Sequence, residues 1–197
     1  MKKTVLIVIL FFVILLLSAT LYLFIETAPK DIKDEEAGTM YSIGEISFNL
    51  YSNNYVVNKA LQDSIIERGN DPEKINGWVD ENNQNSFVLF YEEEFELFEE
   101  TLLALRNPLT HLQLENELPR TEDMQERDIY KVDIDYYTST DKIAILTKNY
   151  KNDGSEIYNF EMKIGNRYYT VIALQSEANN IALENIMEFM RTAHISQ

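Results

Sequence analysis

The stretch YKVDIDYYTSTDKIAILTKNYKNDGSEIYNFEMKIGNRYYTVIALQ, residues 130–175, decides how this chain folds. It divides into four runs rich in β-branched and aromatic residues: Tyr130 to Tyr137, Lys142 to Tyr150, Glu156 to Lys163 and Arg167 to Gln175. Between them stand Ser139-Thr140-Asp141, Asn152-Asp153-Gly154 and Gly165-Asn166, residue types that favour tight turns. Connections this short join only antiparallel neighbours, since a parallel crossover needs a dozen residues or more. The spacing predicts a four-stranded antiparallel meander.

Outward from the meander, helical periods take over. Asn180 to Ala193 places Leu183, Ile186, Met187 and Met190 on one inward face. On the other side, Glu92 to Arg106 places Phe95, Phe98, Leu102 and Leu105 at spacings of three, four and three, which predicts an amphipathic helix. Pro108 and Pro119 bracket a poorly patterned stretch, read as loop or short helix. Phe87 to Tyr91 reads as a short buried strand, set off by the polar loop Asp80 to Asn85. Asp71-Pro72-Glu73 predicts a helix start that puts Ile75, Trp78 and Val79 on one face. Val57, Leu61 and Ile65 predict an earlier helix closed by Gly69. Ile46, Phe48 and Leu50 alternate with Ser47 and Asn49 as in a half-buried strand, and Tyr51 to Asn54 makes a turn. The sum is an α+β fold, an antiparallel sheet packed with helices.

This order of elements resembles PsbP-like/DcrB-like domains of bacterial envelope proteins. The resemblance rests on the strand Ile46-Ser47-Phe48, the helix closing on Gly69, Asp71-Pro72-Glu73, the hairpin from Glu156 to Leu174, and the helix ending near Arg191. It covers most of Tyr41 to Ile195 and is a pattern of elements, without a diagnostic motif. Two places depart from it: Tyr51 and Tyr55 replace a proline and tryptophan often found there, and the segment after Tyr91 reads as helix, not strand. The resemblance implies an α-β-α sandwich that acts through protein contacts and has no catalytic residues.

Ahead of this body, Val5 to Ile25 carries no charge and is interrupted only by Ser18 and Thr20. As a helix the run reaches about 31 Å, matching the roughly 30 Å hydrocarbon core of a bilayer. A cleaved signal peptide has a shorter apolar core of about 7–15 residues, and here Ser18-Ala19-Thr20 lies inside the run. Residues 1–25 are therefore expected to be an uncleaved transmembrane signal-anchor. Lys2 and Lys3 place the N-terminus in the cytoplasm and the rest outside it. Residues 26–40, rich in charge and poor in apolar side chains, read as an acidic solvated linker. Residues 41–197 are long enough for one extracytoplasmic domain.

Composition narrows function mainly by exclusion. All 33 acidic residues lie beyond residue 25, against 15 of the 17 lysines and arginines, a formal charge of −18. A surface that negative repels phosphate backbones, so nucleic-acid binding is not expected. With no cysteine there is no disulfide, thiolate nucleophile, cysteine-ligated zinc or lipid-bearing residue, which suits a bacterial envelope.

Sites are sparse. His111 and His194 stand alone, and neither a serine elbow nor a phosphate-binding glycine loop is present. Glu92, Glu93 and Glu94 with Glu99 and Glu100 read as a solvated helix face. Asp133 and Asp135 share a strand face with Tyr137, but two carboxylates fall short of the 6–8 oxygens that calcium takes. Seven tyrosines fall in the meander, which β-propensity alone explains. If they form a recognition surface, the candidates are Tyr136, Tyr137, Tyr158 and Tyr168. No catalytic, cofactor or metal residue is assigned, and no cofactor is expected. The expected function is a non-enzymatic, membrane-tethered interaction domain of the envelope, an assembly factor or an inhibitor or immunity-type protein. Its partners are the membrane and another envelope protein; the alternative is a ligand-binding or sensing ectodomain.

Overall fold

The meander appears with nearly the limits its turns imply. In a computed structural model describing residues 2–32, 39–43, 45–50, 55–66, 75–80, 86–92, 96–175 and 181–195, it comprises β7 (Ile129–Thr138), β8 (Lys142–Lys151), β9 (Glu156–Ile164) and β10 (Arg167–Gln175). All three contacts between these strands are antiparallel. Gly154 and Gly165 hold φ of 85° and 60° at the two later turns, a left-handed backbone in which a Cβ is strained.

The sheet extends further than the meander. Its order is β1-β7-β8-β9-β10-β6-β5-β4, with β1 at Lys30–Asp31, β4 at Tyr55–Val57, β5 at Ile75–Asp80 and β6 at Ser86–Glu92. A second, three-stranded sheet joins β2 (Thr39–Ile43), β3 (Ile46–Leu50) and the short β11 (His194–Ile195). The described helices are α1 (Lys2–Glu26), α2 (Lys59–Ile66), α3 (Glu96–Leu105), α4 (Pro108–Glu117), α5 (Glu122–Glu126) and α6 (Ile181–Thr192). The α+β class read from the sequence holds.

Alternation along the strands sends side chains to two separate cores. On one face Tyr137, Leu146, Phe160 and Val171 pack with Ile186, Phe189 and Met190 of α6 and with Phe48 and Leu50 of β3. Phe189 meets Phe48 edge-on at 4.8 Å between ring centroids and Phe160 at 6.0 Å. On the other face Val132, Ile134, Tyr136 and Ile145 pack with Phe98, Leu102 and Leu105 of α3. The helix face expected from Phe98, Leu102 and Leu105 is thus the buried one. Ile186 and Met190 are buried on α6 as its period implies, with Leu183 and Met187 packed against them.

Three expectations are corrected. Ile75, Trp78 and Val79 lie on strand β5, paired with β6 from Ile75↔Phe90 to Val79↔Ser86, not on a helix. A spacing of three and one over three residues is too short to establish a helical face, and Gly77 sits in the middle of it. Val57 ends β4 opposite Trp78, so the helix after it begins only at Lys59. Glu92 is the last residue of β6 and the helix following it begins at Glu96. Asp71-Pro72-Glu73, Gly69 and the turn Tyr51 to Asn54 lie outside the described residues.

The stretch read as solvated linker is also different. Thr27 is only 5% exposed, Lys30 and Asp31 form a strand parallel to β7, and Ile32 joins the core beneath α6. Residues 33–38 lie outside the described set.

The helix α1 stands apart from both cores. Its side chains are described from Phe11 onward, and large apolar residues are exposed at every position from Phe11 to Leu17 and again at Leu21, Phe24 and Ile25. Ser18 and Thr20 return their hydroxyls to the carbonyls of Ile14 and Leu16, each at 2.8 Å, leaving little polar surface. Among the residues whose side chains are described, which in α1 begin only at Phe11, no helix is long and apolar enough to cross a membrane.

Candidate functional site

A group of charged side chains lies along the outer edge of β7. Its partner β1 covers that edge only at Tyr137 and Thr138. An uncovered strand edge leaves backbone donors and acceptors free, a liability folded proteins cover. Helix α4 does so here. The Ile134 N–H donates to Glu115 Oε1 at 2.8 Å, and His111 Nε2 donates to the Ile134 carbonyl at 2.6 Å. His111 and Glu115 are four residues apart and so share one side of α4. The helix is set in place by Asn107, whose side chain accepts from the Leu109 N–H, and by Pro108 in its first turn.

Along the same edge, toward the end of the strand, comes the chain leaving α1. Lys30 Nζ lies 2.5 Å from Asp135 Oδ1, and Lys148 Nζ lies 3.3 Å from Asp135 Oδ2. Lys131 reaches Asp133 at 2.8 Å and sits 4.6 Å above the centre of the Tyr150 ring. Between these groups lies a polar cleft of about 350 Å³, walled by Glu26, Lys30, His111, Glu115, Lys131 and Asp133 among others.

Electrostatics in the cleft is organised in pairs. Burial presses the Asp135 carboxyl toward its neutral form, but Lys30 and Lys148 outweigh it and hold the pKa below the ordinary carboxylate range. His111 is 3% exposed. Burial is the largest single influence on it and favours the neutral ring. The Glu115 carboxylate, the Ile134 carbonyl and Asp135 together reverse this, and its pKa stands above the usual histidine value. Its Nδ1 has no hydrogen-bond partner among the described residues.

Two consequences are measurable. A carboxyl with a depressed folded-state pKa stabilises the fold above its unfolded value and loses that contribution as pH falls through the folded one. Asp135→Asn is expected to lower unfolding free energy by about 1–2 kcal/mol at pH 7, the half-exposed Lys30 keeping the loss below that of a fully buried pair. Urea titrations should show the gap closing below about pH 4. The histidine behaves in the opposite sense. Its raised pKa stabilises the fold fully below about pH 6.5, and the contribution disappears as pH rises through the folded-state value. His111→Gln keeps a donor for the Ile134 carbonyl, so the destabilisation it causes should be larger at pH 5.5 than at pH 8. Equal losses at both values would rule out a protonated His111 in the folded state.

No protein-family model matches the chain, and no curated protein matches it. What the site does must therefore be argued from its own residues.

The residues singled out from the sequence do not assemble as one surface. Tyr137 and Tyr158 lie in the core beneath α6, Tyr158 only 1% exposed with its hydroxyl on Glu156. Tyr136 points to the opposite face and is buried against the α3 side. Tyr168 is half-buried there too, its ring edge-on to Phe98 at 5.5 Å and its hydroxyl 3.3 Å from Glu99. Tyrosine density in the meander thus reflects strand packing on two sides of a sheet. Glu99, expected on a solvated helix face, is exposed yet ties α3 to the sheet through Lys163. Asp133 and Asp135 do share a strand face as read, but lysines occupy both carboxylates. Among the described residues no cluster of three or more metal-ligating side chains occurs. His194 is exposed just past α6, its Nδ1 3.0 Å from the Thr192 carbonyl.

The cleft residues Lys30, Glu115 and Lys148 went unnoticed in the sequence. Only the four-residue step from His111 to Glu115 was visible there, and nothing local links either residue to Ile134.

Proposed function

We propose that the chain is a single-pass membrane protein, its N-terminus cytoplasmic and its α+β body held outside the cytoplasm as a non-enzymatic interaction domain of a bacterial envelope. The observation that carries this is the exposure of α1 at consecutive positions. Seven residues in a row, Phe11 to Leu17, cover two full turns of helix and every direction around it, and all are large, apolar and exposed. An apolar surface of that extent in water is unstable unless something covers it. The charge-free run from Val5 to Ile25 supplies the length for lipid to be that cover.

The non-enzymatic part of the proposal draws on the cleft. Its lysines Lys30, Lys131 and Lys148 are each committed to an aspartate, and His111 and Glu115 are committed to the backbone of Ile134. Groups bound up in this way brace a structure instead of moving protons for a substrate. A PsbP-like/DcrB-like kinship belongs to the same proposal; helices on both faces of the sheet are in keeping with it, and a role as assembly factor or inhibitor follows from it. Chemical crosslinking in intact membranes followed by gentle solubilisation should yield a species heavier than the chain alone. A monodisperse, uncrosslinked monomer would sink the interaction reading.

The second reading, a sensing ectodomain, is favoured by one feature. The cleft places a buried histidine with an elevated pKa beside the point where the chain leaves α1. A change of state there sits next to the connection to α1.

A further inference from the structure

The way α1 joins the body says which end of the sheet meets the bilayer. Glu26 and Thr27 line the cleft beside Lys131 and Asp133, and three residues later Lys30 pairs with Tyr137. Because β1 runs parallel to β7, the chain travels from the Lys131 end of that strand toward Thr138. The connection has no slack: Thr27 is buried, its N–H and hydroxyl both return to the Leu23 carbonyl, and Lys30 is clamped on Asp135. Fully extended, three residues reach only about 10 Å.

We propose that the end of the sheet made by the start of β7 and the β8–β9 turn rests against the lipid headgroups. The claim rests on the membrane reading of α1 given above and adds the orientation of the body. The chemistry of this end fits a headgroup layer. Tyr130 is 58% exposed there, an amphipathic ring of the kind found at membrane interfaces. Arg127 and Lys131 flank it in the chain and Lys151 lies in register beside them, each paired with an aspartate, Asp123 at 3.0 Å, Asp133 at 2.8 Å and Asp153 at 3.7 Å. Ile129 is opposite Lys151, and the Asn152 N–H donates to the Asp128 carbonyl at 3.1 Å, so these residues form one patch. The β7–β8 and β9–β10 turns lie at the far end, a strand of about 27 Å away.

The test uses the full chain, whose lack of cysteine makes any introduced thiol unique. Variants L16C, N152C and N166C are each labelled with bimane and reconstituted into vesicles of phosphatidylethanolamine and phosphatidylglycerol. Nitroxide is carried in one series on the acyl chain and in the other on the headgroup. Acyl-chain nitroxide should quench the label at Leu16, and headgroup nitroxide should quench Asn152 about threefold or more over Asn166, the two turns being a strand length apart. Strong quenching at Leu16 with equal quenching at Asn152 and Asn166, or with Asn166 the greater, overturns the orientation and leaves the anchor standing. Absence of quenching at Leu16 overturns the anchor, and the orientation falls with it.

Discussion

Arginine at both Ile14 and Leu16 is expected to shift the chain from the carbonate-resistant membrane pellet to the soluble fraction. Both side chains are exposed on α1 and lie near the middle of the apolar run, where no aqueous surface is within easy reach of a long side chain. A centrally placed arginine costs about 2.5–3.5 kcal/mol on insertion scales, so two cost about 5–7 kcal/mol. Leucine, isoleucine, phenylalanine and valine contribute only about 0.3–0.6 kcal/mol each in favour, and most of the run's summed preference is consumed. Ser18→Ala, which removes a hydroxyl already returned to the Ile14 carbonyl, should leave the pellet fraction unchanged. Retention of the double variant in the pellet would mean that α1 is held by protein, not by lipid.

Phe160→Ala should lower the unfolding free energy by about 3–5 kcal/mol. Phe160 is fully buried in β9, with Leu146 of β8 and Val171 of β10 directly opposite it and the ring of Phe189 edge-on above. Sheet on one side and helix on the other leave no neighbour free to collapse into the vacated space. Against a typical total of about 5–15 kcal/mol, a loss of that size leaves little margin. Leu103→Ala, on the exposed face of α3, should fall within about 0.5 kcal/mol of the parent. Urea unfolding of both variants in the same detergent would separate them. Equal losses would place the main core elsewhere than beneath α6.

These two positions also show where the sequence was readable. The meander limits came through because turn residues punctuate strands locally: Asn152-Asp153-Gly154 and Gly165-Asn166 act within a few residues of themselves. Helices α3 and α6 came through because their apolar residues recur near a 3.6-residue period, whereas a strand over the α3 segment would expose Leu or Phe on both faces. Strand β5 did not, since Ile75, Trp78 and Val79 stand at helical spacing and break strict alternation over a run too short to decide between the two. Its identity depends on β6 being alongside, and pairing is a non-local fact. The tyrosines were visible as strand residues, but the face each would take follows from the register, which assigns Tyr136 and Tyr137 to opposite cores.

By itself the sequence determined a charge-free helix ahead of a strongly acidic α+β body, and the antiparallel order of β7 to β10. Those properties reside in runs of neighbouring residues: apolar length, net charge, turn chemistry. Only the tertiary structure decided that the stretch after α1 is docked, with Lys30 on Asp135 across more than a hundred residues of chain and Ile32 in the core. It alone decided that His111 and Glu115 serve the open edge of β7. The reason is physical: a solvated-looking run of charges is indistinguishable from an edge strand until the strand it pairs with, and the counter-ions that strand carries, are brought beside it.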